Sequence, residues 1–188
     1  MDLDAFGFNP PLLEAYKARY GEDVSDGSFD PERMRLLRGG MLTGFLRRAG
    51  AFLKKSGKRL ITHVDGDDFP PSAGRHSGAF SDWRAWLAEG IPDEITLCCD
   101  SARGRSSPLI IAAAREKGVP VSLRPHFSAV GGSPADRAAV AATGADALAG
   151  GADGFIIYES ASFTAAKPGG GIAVTAPWLI EELAKNAK

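Results

Sequence analysis

Cysteine is almost absent from this chain. There are two in 188 residues, the neighbours Cys98 and Cys99. Adjacent residues of an extended segment point to opposite faces, and no spacing here resembles a zinc site. The pair therefore reads as two small buried hydrophobes rather than a redox or metal centre. Long apolar runs are also missing, and none approaches the roughly 20 residues that span a bilayer. The opening Met1-Asp2-Leu3-Asp4 is acidic and lacks the basic and apolar regions of a secretory signal. Neither sign of charge is in excess. A net charge of −1 gives no electrostatic case for nucleic acid or an anionic membrane surface. The expectation is a cytoplasmic globular protein with neither of those partners.

What the chain does contain is a repeated pattern. Four short apolar runs each end in polar or ionisable residues, and a helix-like stretch follows each one. Arg59-Leu60-Ile61-Thr62-His63-Val64 leads into Asp65-Gly66-Asp67-Asp68, and Glu94-Ile95-Thr96-Leu97-Cys98-Cys99 leads into Asp100. Val119-Pro120-Val121-Ser122-Leu123 leads into Arg124-Pro125-His126, and Gly154-Phe155-Ile156-Ile157-Tyr158 leads into Glu159. Strands alternating with helices imply a parallel sheet, and such proteins place their chemistry at the carboxyl ends of the strands. All three histidines, His63, His76 and His126, fall in or beside these segments.

Helix signals fill the intervals. Pro10-Pro11 primes a helix that Gly21 stops, with Leu12, Leu13, Tyr16 and Tyr20 on one face. Asp30-Pro31 opens a long helix as N-cap and first helical residue. Its apolar stripe is Leu36, Leu37, Met41, Leu42, Phe45, Leu46, Phe52 and Leu53. Gly39, Gly40, Gly44 and Gly50 lie inside it and each costs up to about 1 kcal/mol of propensity, so tertiary packing must hold it. Further helices are expected at Ser81–Leu87, Ser107–Lys117, after Ser133-Pro134, and from Ala176 to Ala187. Residues 65–79 and the glycines at 169–171 read as loops. No linker divides the chain, so residues 1–188 are expected to form a single α/β domain.

Several segments resemble the glycosyl-hydrolase-like 10 type of (β/α)8 barrel, a glycosidase-like group whose pattern is related to the α-amylase superfamily. Tyr16-Lys17-Ala18-Arg19-Tyr20-Gly21 resembles the helix end after that family's fourth strand, and Leu36-Leu37-Arg38-Gly39 its following helix. The passage from Asp82-Trp83 through Trp86, Gly90 and Asp93 to Ile95 is similar to the approach to strand six. Gly151-Ala152-Asp153-Gly154-Phe155 resembles the entry to strand eight. The resemblance covers nearly the whole chain and implies a partial TIM-type barrel, about its second half, with Asp2-Leu3-Asp4 as the tail of strand four. A complete barrel takes about 250 residues. The expectation is therefore a truncated product, a piece of a longer polypeptide, or a half-barrel that a homodimer completes.

Glycosidic hydrolysis needs two carboxyl groups flanking the bond. The resemblance implies Asp4 as nucleophile, with Asp65 or Asp67 as acid/base. His63, Asp100, Arg124, His126 and Glu159 are the candidates for holding an oligo- or polysaccharide. Each has a structural counter-reading. An aspartate beside glycine is more often a turn residue. A histidine within a strand is by default a satisfied core residue, and Glu159 could pair with Arg124. Trp83 and Trp86 read as packing residues, while Phe69 and Phe127 are better placed for stacking on a sugar. A metal set of His63, Asp65, Asp67 and His126 matches no established spacing, and the glycines at 169–171 make a weak phosphate loop. No cofactor or metal is called for. The competing expectation is a glycan-binding or vestigial barrel without catalysis.

Overall fold

A computed structural model of the chain describes residues 9–24, 28–65, 80–98, 107–124, 133–156, 164–166, 172–174 and 177–185. The elements run α1 (Pro10–Tyr20), α2 (Pro31–Lys55), β1 (Ile61–Asp65), α3 (Trp83–Ala88), β2 (Glu94–Cys98) and α4 (Ser107–Glu116). Then come β3 (Val121–Leu123), α5 (Pro134–Ala149), β4 (Gly154–Phe155), β5 (Thr164–Ala166), β6 (Ile172–Val174) and α6 (Pro177–Ala184). The protein is α/β, as the alternation of runs implies.

Side-chain caps start four of the helices. The Asn9 carboxamide accepts from the Leu12 N–H, and Asp30 accepts from Glu32 and Arg33. Asp82 accepts from Ala85, and Ser133 forms a reciprocal capping box with Asp136. Each satisfies first-turn donors that have no acceptor inside the helix. Pro10, Pro31 and Pro134 occupy first helical positions, where their missing N–H costs nothing.

The chain divides into two compact units, Met1–Leu60 with Phe69–Ile91, and Ile61–Asp68 with Pro92–Lys188. The first is helical. Its core gathers Leu12, Tyr16, Val24, Met34 and Leu37, with Leu13, Tyr20 and Phe29 packed against them. Tyr16 ties this core together: its hydroxyl donates to Glu22 and accepts from the Asp30 N–H at 3.1 Å. Gly39 has a packing reason. A Cβ there would lie 2.5 Å from the carbonyl oxygen of Phe80, whose own N–H donates to Arg35 O. Trp83 and Trp86 are buried as packing residues, and the Trp86 indole N–H donates to Thr43 Oγ1 at 2.8 Å.

The apolar stripe of α2 behaves differently from its pattern. Leu37 is buried and Leu42, Leu46 and Leu53 are half-buried, whereas Leu36, Met41, Phe45 and Phe52 are exposed. Helical periodicity identifies a face without identifying anything to cover it, and a 25-residue helix outruns its packing partners.

The second unit is built on a four-stranded sheet in the order β1-β2-β3-β4, every neighbouring pair parallel. α4 packs on β3 and α5 packs on α6. β5 and β6, flanking the glycines expected as a loop, pair antiparallel with Ala165 opposite Ala173. Strands of three residues are too short for a period-two pattern to show.

Candidate functional site

The register of the sheet sorts its side chains into rows. Thr62, Ile95 and Val121 stand level, as do Val64, Leu97, Leu123 and Phe155. Between these rows lies His63, Thr96, Ser122 and Gly154. Because successive residues of a strand face opposite sides, the first two rows share one face and the third belongs to the other. The first face is a core surface: Val64, Ile95, Leu97, Val121 and Leu123 are all buried, with Thr62 among them.

The opposite face is polar. Glu94, at the amino end of β2, accepts from the Ser122 hydroxyl at 2.7 Å. Thr96 is 3% exposed, and its Oγ1 has no hydrogen-bond partner. His63, beside it on β1, is exposed rather than held in the core, contrary to the default for a strand histidine. Among the described residues β1 is the first strand of the sheet order.

Arg124 extends β3 by one residue. Its N–H donates to the Leu97 carbonyl at 2.8 Å, continuing the ladder, and its side chain is buried at the sheet's carboxyl edge. Alternation gives it the same face as Ser122. Asp65 closes β1 opposite Cys98. One step past the Leu97–Leu123 pair, Cys98 stands level with Arg124, so Asp65 and Arg124 end the two strands that flank β2. Two interstrand spacings, about 10 Å, separate their backbones.

The structure thus brings three sequence candidates, His63, Asp65 and Arg124, onto one sheet and toward one edge of it. Asp4, Asp67, Asp100, His126 and Glu159 lie outside the described residues, as do Phe69 and Phe127. Two polar residues of this face, Thr96 and Ser122, carry no signal of their own in the sequence. They sit inside apolar runs, where a small hydroxyl residue passes for an ordinary strand former. Only the register reveals that they stand level with His63.

Ser107, the first residue of α4, is likewise unmarked in the sequence. It is completely buried, and its Oγ has no hydrogen-bond partner. Among the described residues no group of three or more His, Cys, Asp or Glu side chains is placed to hold a metal. Among the same residues no helix is long and apolar enough to cross a membrane. No protein-family model, no curated protein and no solved structure matches this chain.

Proposed function

We propose that this chain is a segment of a glycosidase-like (β/α) barrel, and that its polar sheet face belongs to a saccharide site. The observation that carries this reading is the asymmetry of the sheet. One face is apolar apart from Thr62, and the other carries Glu94, His63, Thr96, Ser122 and Arg124 beside Ile61 and Gly154. A consecutive, all-parallel strand order supports it, because one-handed crossovers put the connecting helices on one side of such a sheet and leave the other as a concave interior. In a closed barrel that interior is completed by further strands. A second copy of the chain, or the remainder of a longer one, would supply them.

On this reading the reaction is hydrolysis of a glycosidic bond by two carboxyl groups. Asp65 or Asp67 serves as general acid/base, with Asp4 as nucleophile where strand four is complete. His63, Asp100, Arg124, His126 and Glu159 hold sugar hydroxyls and the ring oxygen through hydrogen bonds. Asp65 is supported by its place at the end of β1, level with Arg124 across β2.

The test is an oligosaccharide panel assayed for reducing ends, on samples whose native mass has been set by light scattering. Hydrolysis that Asp65→Asn or Asp67→Asn lowers at least a hundredfold supports the reading. Binding without turnover, unchanged by both substitutions, would make the protein a glycan-binding barrel whose acids are turn residues. Neither binding nor hydrolysis by a discrete dimer would overturn the saccharide reading altogether.

A further inference from the structure

Helix α4 connects two neighbouring parallel strands, β2 and β3, so it runs against them and starts at the carboxyl edge of the sheet. That edge is where Asp65 ends β1 and Arg124 follows β3. A helix start carries roughly half a positive charge and N–H groups that no carbonyl within the helix can accept. In α4 these are the N–H groups of Ser107 and Leu109; Pro108 has none. Such an end favours an anion.

A second observation points the same way. Ser107 has no accessible surface, yet its hydroxyl neither donates nor accepts a hydrogen bond. Side chains on a helix lean toward its N-terminus, so the first residue aims its Oγ out past the first turn. A buried hydroxyl with no partner is costly, and a charged ligand oxygen would recover the lost bond. The first turn is not sealed as a whole, since Pro108 and Leu109 beside it are exposed. Arg124 adds a buried cation at the same sheet edge.

We infer that the start of α4, with the Ser107 hydroxyl as its anchor, is a subsite for an oxyanion, and that the saccharide taken by the neighbouring polar face is an acidic one bearing a carboxylate. The inference deepens the proposed function and rests on it for the sugar part of the ligand. The anion subsite itself stands on α4 alone. Because Ser107 is closed to solvent, the incoming oxygen displaces a neighbour to reach it.

The experiment is an NMR titration of the whole chain with glucuronate, glucose and inorganic phosphate, repeated on Ser107→Ala and Ser107→Thr. Removing an unpaired hydroxyl leaves the fold intact, which the thermal midpoint of Ser107→Ala checks. The expected result is glucuronate binding about tenfold tighter than glucose, a preference lost in Ser107→Ala and kept in Ser107→Thr. Phosphate binding that depends on the Ser107 hydroxyl, with neither sugar bound, would uphold the anion subsite and remove the saccharide reading. Equal binding of glucose and glucuronate, or a preference that survives Ser107→Ala, would overturn the inference and leave the saccharide reading standing. No binding of any of the three would overturn both.

Discussion

The two units differ in how their buried hydroxyls and indole are satisfied. In the helical unit, Asn9, Asp30 and Asp82 cap helices, Tyr16 bonds both Glu22 and the Asp30 N–H, and the Trp86 indole has Thr43. In the sheet unit, the buried hydroxyls of Thr62, Thr96 and Ser107 have no partner. All of the buried, unpartnered hydroxyls among the described residues belong to that unit. Folding alone does not favour leaving such groups unpaired. Two of the three, Thr96 on the polar face and Ser107 at a helix start, fall where the saccharide and anion sites are proposed, whereas Thr62 lies on the apolar face. On the proposed reading the helical unit is scaffold and the sheet unit carries the saccharide site.

The largest effects should not distinguish the units, because both have apolar cores. Leu97 is fully buried in the sheet and Met34 is 1% exposed between the helices. Leu97→Ala and Met34→Ala should each cost about 2–5 kcal/mol in urea unfolding followed by circular dichroism. A Leu97→Ala loss below about 1 kcal/mol would mean that the sheet's apolar face is not a packed core, and the contrast between its faces would lose its foundation.

A single substitution type separates the units next. Thr43→Val removes the hydroxyl that accepts from the buried Trp86 indole, and should cost about 1–3 kcal/mol. Thr62→Val and Thr96→Val remove hydroxyls that bond to nothing, and valine suits a strand, so each should be neutral or gain up to about 1 kcal/mol. The two strand positions should then part company. Thr62 lies on the apolar face and its change should leave saccharide binding alone, whereas Thr96→Val should weaken it severalfold. Destabilisation by all three variants would mean that the strand threonines are structural, and the site would lose Thr96.

How much of this could be read from the sequence follows from which physics is local. Caps are local: Asp30-Pro31 and Ser133-Pro134 announce their helices because the capping side chain and the N–H it serves are within three residues. Strand alternation is local too, and the four parallel strands stand where their apolar runs predict. Register is not local. Nothing in Glu94-Ile95-Thr96-Leu97-Cys98 says that Thr96 will stand level with His63, 33 residues earlier, or with Ser122 beyond a helix. Coverage is not local either. Phe45 and Phe52 have the periodicity of a buried stripe and are exposed, while Gly39 is buried because Phe80 returns to touch it. The β5–β6 pair shows no pattern because three residues are too few to show one.

The smallest effect concerns charge, and it tests whether the helical unit's surface pairs matter at all. Arg47 holds Glu89 through two bonds, Nε at 2.7 Å and Nη2 at 2.8 Å, and this hydrogen bonding keeps the Glu89 carboxyl below the usual glutamate range. Glu32 is held down in the same way by Arg35. In the sheet unit Glu182 is lowered chiefly by its bond from Lys185. A carboxyl whose folded pKa is depressed contributes stability that is complete above its unfolded value and disappears as pH falls through the folded one. Glu89→Gln should therefore lower the thermal midpoint slightly at neutral pH, and the gap from the unsubstituted protein should close as the solution is acidified below the ordinary glutamate pKa. Added salt should shrink the same gap, because the pair is solvent-exposed. A gap that persists undiminished in acid would show that Glu89 supports α3 by contacts other than its charge. Glu182→Gln provides the matching measurement in the other unit. Equal closure there would mean that surface pairs do not distinguish the units, leaving the unpaired buried hydroxyls as the polar difference between them.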